Sequence, residues 1–439
     1  MHNFFLYFLL NSVFCLLMVA GTTSAATIHV GKHYDSKSIN GAIAQAKPGD
    51  TILVHGGHYR EETIQITKSL TLIGLENPIV DGQQKHEPVA IQTDNVTFKG
   101  FTVKNSSHSA LTDVAGIKVY GVKNVTITDN ILDNNFFGIY LQNVKNCHVE
   151  NNRLRTYGET ERLVGNGVHA WKSDSVTILN NEIIGHRDGI YLEFVTHTHV
   201  RKNLSQNNLR YGLHFMFSHD NEYHYNIFRS NGAGVAVMYT QRVRMEHNRF
   251  EENWGDAAYG LLLKDITDSY IEHNTFVRNT TGIFMEGSNR TLIEQNSFEN
   301  NGWAIKIFTS CMDNTLRKNS FIQNTFDVAT NSGKLNNTFV ENYWDKYEGY
   351  DLDKNGIGDV PHHPVSLFSM LIERYPAAML LFRSFMVTLF DRSEKMIPSL
   401  TPENLKDDSP LMKPLPIKTE KLSATGNSEV FRRRKGVEE

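Results

Sequence analysis

The sequence predicts an all-β chain wound into a right-handed parallel β-helix of about a dozen rungs. Three observations carry that expectation. First, an asparagine followed two residues later by a large apolar residue recurs: Asn130 with Leu132, Asn152 with Leu154, Asn181 with Ile183, Asn226 with Phe228, Asn248 with Phe250, Asn274 with Phe276, Asn296 with Phe298, Asn319 with Phe321 and Asn342 with Trp344. Asn203 keeps the period, with Ser205 in place of the apolar partner. Successive steps are 22, 29, 22, 23, 22, 26, 22, 23 and 23 residues. Second, another asparagine follows five residues on, at Asn135, Asn208, Asn231, Asn253, Asn279, Asn301 and Asn324. Third, a glycine opens a short alternating strand at Gly116, Gly138, Gly167, Gly189, Gly212, Gly234, Gly260 and Gly282.

The physics is that of a solenoid. One coil cannot bury its apolar face alone, whereas stacked coils bury Ile, Leu, Val and Phe as continuous columns. Asparagine stacked on asparagine supplies both donors and acceptors to buried turn amides. Glycine permits a tight bend between strands. Leucine-rich repeats also carry asparagine, but they need denser leucine and another spacing. The 29- and 26-residue steps predict bulging loops near 157–166 and 256–259.

The ends differ from the repeat. An apolar run from Phe4 to Val19, then Thr23-Ser24-Ala25, reads as a secretory signal over 1–25 cleaved before Ala26. The run is short for a bilayer span. Residues 26–50 read as an N-terminal cap, with Ser36–Ala46 an amphipathic helix, and the rod is expected over 51–345. Residues 346–364 hold an oxygen-rich loop in which Asp351, Asp353, Asn355 and Asp359 resemble the front half of a calcium loop. His362 stands where such a loop places its bidentate glutamate. Residues 365–397 read as an apolar helical arm, with Phe368, Leu371, Leu380, Phe382 and Phe385 as candidate docking residues; the alternative is a packed cap. The polar, lysine-rich stretch 398–439 reads as a disordered tail.

The net charge of −4 across 439 residues gives no concentrated basic face for nucleic acid. Cys15 would leave with the signal. Cys147 and Cys311 lie about seven rungs, roughly 34 Å, apart, too far for a disulfide.

The register locates a candidate site. The first and third residues after each glycine point inward, and the second and fourth outward. His214, Met216 and Met238 then share an outward patch, with His169 and Glu193 nearby and His219 at the next turn. Imidazole with thioether suits copper, particularly Cu(I); the plain alternative is packing beneath a loop. His197 and His199 are weaker candidates, and His224, His247 and His273 are expected in turn columns. The rival class is a carbohydrate-active or carbohydrate-binding β-helix of lyase or epimerase type, which needs clustered acids and a base. Asp174, Asp188, Glu193 and His169 are the available groups, but outward carboxylates do not pair in consecutive rungs. Of the Asp-Pro-His-Asp signature of mannuronan epimerases only Ser218-His219-Asp220 is an echo.

The stretches 189–195 (GIYLEFV), 209–220 (LRYGLHFMFSHD), 232–239 (GAGVAVMY), 259–265 (YGLLLKD), 327–331 (DVATN), 342–345 (NYWD) and 349–359 (GYDLDKNGIGD) resemble the NosD family. The resemblance runs from about residue 30 to residue 412. It implies a periplasmic, non-catalytic accessory protein that handles copper for the copper–sulfur centre of nitrous oxide reductase. Its implied partners are an ABC transporter permease and ATPase, a copper-donating lipoprotein chaperone, and the reductase. The resemblance also implies a wider carbohydrate-binding and sugar-hydrolase-like repeat group, which keeps the rival class in play.

Overall fold

The computed structural model describes residues 25–108, 113–255, 258–308, 310–331, 336–382, 384–396 and 405–416. The expected signal lies outside them, apart from Ala25. Among the described residues thirty-nine short strands, β1 (Thr27–Val30) to β39 (Tyr343–Trp344), form three sheets of 14, 12 and 13 strands. From β4 (Ile64–Ile66) on, each strand pairs in parallel with the strand three further along, one turn later. The chain is therefore a right-handed parallel β-helix of about 13 turns.

Interior columns form the core. Phe228, Phe250, Phe276, Phe298, Phe321 and Trp344 stack ring on ring, with centroids 4.1–5.5 Å apart. All six are essentially inaccessible. The asparagines run beside them as a ladder. The backbone amide and side-chain Nδ2 of Asn130 both donate to Asn152 Oδ1 at 3.0 Å. The same pattern is repeated from Asn152 through Asn319. Each Nδ2 also reaches a carbonyl of the preceding turn, as Asn226 does to Val200 at 2.9 Å. Buried turn amides thus find partners without water.

The glycines have a different cause from the expected bend. Their φ angles are not left-handed. Instead, a Cβ on Gly234 would meet the Gly260 carbonyl oxygen at 2.3 Å, and one on Gly138 the Gly167 oxygen at 2.5 Å. From Gly138 to Gly282 the column is glycine because the next rung's carbonyl passes over it, and at Gly116 the Asn135 side chain fills that space. It ends in Ala304 and Asp327, the latter in the last turn of its sheet.

The 29-residue step does place an irregular turn before Val168–Trp171, whereas residues 256–257 of the bulge expected at 256–259 lie outside the described residues. At the N-terminus, helix α1 (Ile39–Gln45), capped by Ser38, packs Ile39, Ala42 and Ile43 inward. Residues 27–30 are not part of a separate cap: they form β1, the edge strand of the 14-stranded sheet. Cys147 and Cys311 are buried and unbridged.

The C-terminal region departs most from expectation. Helix α2 (Leu367–Arg374), a 3-10 turn (Pro376–Leu381) and helix α3 (Phe385–Met396) fold back on the final turns. Phe368 and Ile372 bury against Phe326, and Lys306 pairs with Glu373. Part of the expected tail is ordered, because 405–416 returns to the rod's end. Asp407 there is fully buried and accepts from Asn342 N at 2.9 Å, Asn342 Nδ2 at 3.0 Å and Trp344 Nε1 at 3.2 Å. A carboxylate ends the ladder where no further asparagine follows. Residues 397–404 and 417–439 lie outside the described residues.

Candidate metal site

The 12-stranded sheet carries the candidate residues on its outward face. Strands β19 (Asp188–Glu193), β22 (Tyr211–Met216) and β25 (Ala233–Met238) stack in register. Tyr191 pairs with His214 and then Ala236; Glu193 pairs with Met216 and then Met238. His214, Met216 and Met238 are therefore neighbours on two adjacent rungs, with Glu193 beside Met216. The irregular turn before Val168–Trp171 enters this sheet one rung before these three strands.

The patch is less open than its outward direction suggests. His214 is only 5% exposed. Tyr191 and Tyr211 rings cover it at 4.7 and 4.9 Å. Its Nδ1 faces Asp188 Oδ2 at 3.4 Å, and its buried Nε2 has no hydrogen-bond partner. A carboxylate beside Nδ1 favours the neutral tautomer with its proton there, in which Nε2 carries the lone pair, the arrangement that orients metal-binding histidines. Burial alone would raise the Asp188 pKa, but bonds from Arg210 and His214 hold it below the usual carboxylate range. Arg210 grips it through Nε at 2.8 Å and a second nitrogen at 2.5 Å. The half-buried Met216 sulfur takes the Tyr191 hydroxyl at 3.5 Å, and Met238 is half-buried beside it. Sequence reasoning missed Tyr191, Tyr211 and Arg210 as supports of this site. Arg210 and Tyr211 precede their strand's glycine, and Tyr191 stands at the same outward position as His214 one rung earlier.

Two expected members stand apart. His169 is in the same column, but two rungs away, about 9.6 Å, with the Tyr191 ring between. It cannot share an ion with His214, given metal–nitrogen bonds of about 2 Å. Its Nε2 is also buried without a partner, and burial pushes its pKa down to about 3, so the ring is neutral. His219 sits on the following turn, where its Nδ1 accepts the Gln241 amide at 3.2 Å.

Among the described residues no three His, Cys, Asp or Glu side chains converge to hold a metal. Any ion at His214 would therefore need the thioethers, which suits a soft ion. In the 351–359 loop the carboxylates face inward on the loop itself. Asp351 accepts from Asn355 N and Gly356 N, and Asp359 from Leu352 N. The acids named for a sugar-cleaving site are not brought together. Asp174 lies on the 14-stranded sheet, held by His197 at 2.7 Å, while Asp188 and Glu193 lie on the 12-stranded sheet. Of the remaining histidines, His247 and His273 do stack in a turn column, but His224 ends a strand between Glu222 and Glu246.

Residues 44–161 and 155–349 match the family described as periplasmic copper-binding protein (NosD). The chain belongs to the NosD family. A relative described as a probable ABC transporter binding protein NosD, from Stutzerimonas stutzeri, is 28% identical over 122 residues, covering 27% of each chain. One of the same description from Pseudomonas aeruginosa is 29% identical over 113 residues, covering 25% of this chain and 26% of the relative. The chain thus spans about a quarter of the length of these curated NosD relatives. Among solved structures, the catalytic unit of an α-1,3-glucanase from Streptomyces thermodiastaticus superposes with a TM-score of 0.57 at 14% identity, covering 70% of this chain and 65% of the glucanase. A second α-1,3-glucanase catalytic domain gives 0.52 at 13%, covering 74% and 70%. These two share the NosD chain's fold.

The arm divides its candidate docking residues. Phe368 is buried and Leu371 half-buried against the rod, so both anchor the arm. Leu380 and Phe385 are 91% and 75% exposed, and Phe382 is partly so. Among the described residues no helix is long and apolar enough to cross a membrane.

Proposed function

We propose that this chain is a periplasmic copper carrier that takes Cu(I) between His214, Met216 and Met238. It works with an ABC transporter, receives copper from a lipoprotein chaperone and serves the copper–sulfur centre of nitrous oxide reductase. The carrying observation is the unpartnered, buried Nε2 of His214 beside two thioethers on adjacent rungs. Asp188 fixes the tautomer and Arg210 fixes Asp188, so the nitrogen donor is oriented before the ion arrives. Glu193 lies beside Met216 on the preceding rung. The exposed part of the arm, Leu380, Phe382 and Phe385, is the surface offered to the permease. Copper is cargo here; the chain orients, shields and releases it, and ATP hydrolysis belongs to the partner.

The test is anaerobic Cu(I) titration against a competing chelator. Met216→Ala with Met238→Ala is expected to weaken binding at least about tenfold, as two thioether donors are lost. Wild-type protein that binds no Cu(I), or a double variant that binds as well as wild type, would reject the assignment. Depolymerisation or epimerisation of an acidic polysaccharide would favour the carbohydrate reading.

A further inference from the structure

The first turn holds a second pair of potential metal donors, on another sheet and independent of the copper reading. His29 on β1 pairs with Leu53 of β2 (Thr51–Val54), and His55 follows two residues later. Val30 and Val54 point into the core, which turns His29 and His55 outward together. His29 Nδ1 and His55 Nε2 face each other at 3.0 Å. Tyr34 stacks on both rings, at 5.0 Å from His29 and 4.2 Å from His55. A Cβ on Gly31 would come within 3.2 Å of both Tyr34 and His55, so glycine allows this close packing.

Imidazole is the commonest metal ligand, binding at about 2.0–2.1 Å. Two such bonds at a right angle hold their nitrogens about 2.9 Å apart, and a tetrahedral angle about 3.3 Å. The observed spacing, bridged by a hydrogen bond between the two rings, lies between the two, so an ion that replaces the shared proton keeps the nitrogens about as far apart. No third His, Cys, Asp or Glu joins them among the described residues, which leaves the other positions to solvent. We infer that His29 and His55 form a surface site for a borderline divalent transition-metal ion, of the Zn(II), Ni(II) or Cu(II) type. Without thioethers it differs in preference from the methionine patch.

Zn(II) titration of the full chain by calorimetry at pH 7.5 tests it, with far-UV circular dichroism as the folding control. One ion should bind to wild type. His29→Ala and His55→Ala should each weaken it at least about tenfold, since either loss leaves one imidazole, and Met216→Ala with Met238→Ala should leave it unchanged. Cu(II) electron paramagnetic resonance should show two nitrogen donors in wild type and one in each histidine variant. No saturable Zn(II) binding, or an effect of only one histidine, or of neither, would overturn the inference and mark any uptake as adventitious.

Discussion

Replacing Asp407 by alanine is expected to loosen the last turns of the rod and leave the first ones intact. Asp407 is fully buried. It accepts from the Asn342 amide, the Asn342 side chain and the Trp344 indole, and its second oxygen takes the Glu341 amide at 3.1 Å. Alanine strands these donors in a site shaped for a carboxylate. A buried donor left without a partner costs about 1–3 kcal/mol. Four such groups at a rod end, each partly relieved by entering water, give about 3–6 kcal/mol. A solenoid is stabilised rung by rung, so the loss stays near its origin. Amide hydrogen exchange should therefore rise by about two to four orders of magnitude in strands 320–322 and 336–344. Exchange in the turns before residue 130 should not change. Asp407→Asn keeps one acceptor but turns an NH₂ toward other donors, so its effect should be intermediate. Equal exchange in Asp407→Ala and wild type would refute the idea that this carboxylate ends the asparagine ladder.

Two further predictions concern the interior. Phe276→Ala opens a gap in a continuous stack of rings, with neighbours at 4.6 and 4.9 Å. It should destabilise by about 3–5 kcal/mol, read as a lower denaturant midpoint, and a cost below about 1 kcal/mol would mean that the stack collapses to fill the space. His186 occupies a position in the second asparagine column, its amide bonded to Asn208 Oδ1 and both ring nitrogens buried without partners. Burial pushes its pKa from 6.5 down to about 4. Between those values the unfolded chain holds a proton that the native state does not, so stability should fall as pH drops from about 6.5 to about 4. His186→Asn removes that titration and restores the ladder's side-chain donor. It should narrow the difference in melting temperature between pH 7 and pH 4.5, and an unchanged difference would show that His186 does not contribute to it.

Much of this protein could be read from its sequence, because a solenoid turns sequence period directly into spatial neighbourhood. A residue 22 or 23 positions away is about 4.8 Å away in space. The asparagine ladder, the strand register and the adjacency of His214, Met216 and Met238 all follow from counting. What counting could not supply was depth and closure. Whether an outward His214 is exposed depends on the Tyr191 and Tyr211 rings, and whether His169 shares its site depends on a ring lying between them. The glycine column needed the carbonyl of the next rung in place before its cause was visible. Asp407, 65 residues beyond Asn342, had no periodic signal at all; only the returning chain put a carboxylate where the ladder needed its last acceptor. Local period determined the rod. Contacts between segments distant in sequence determined its ends and the burial of its candidate site, because such contacts depend on side-chain packing that no repeat encodes.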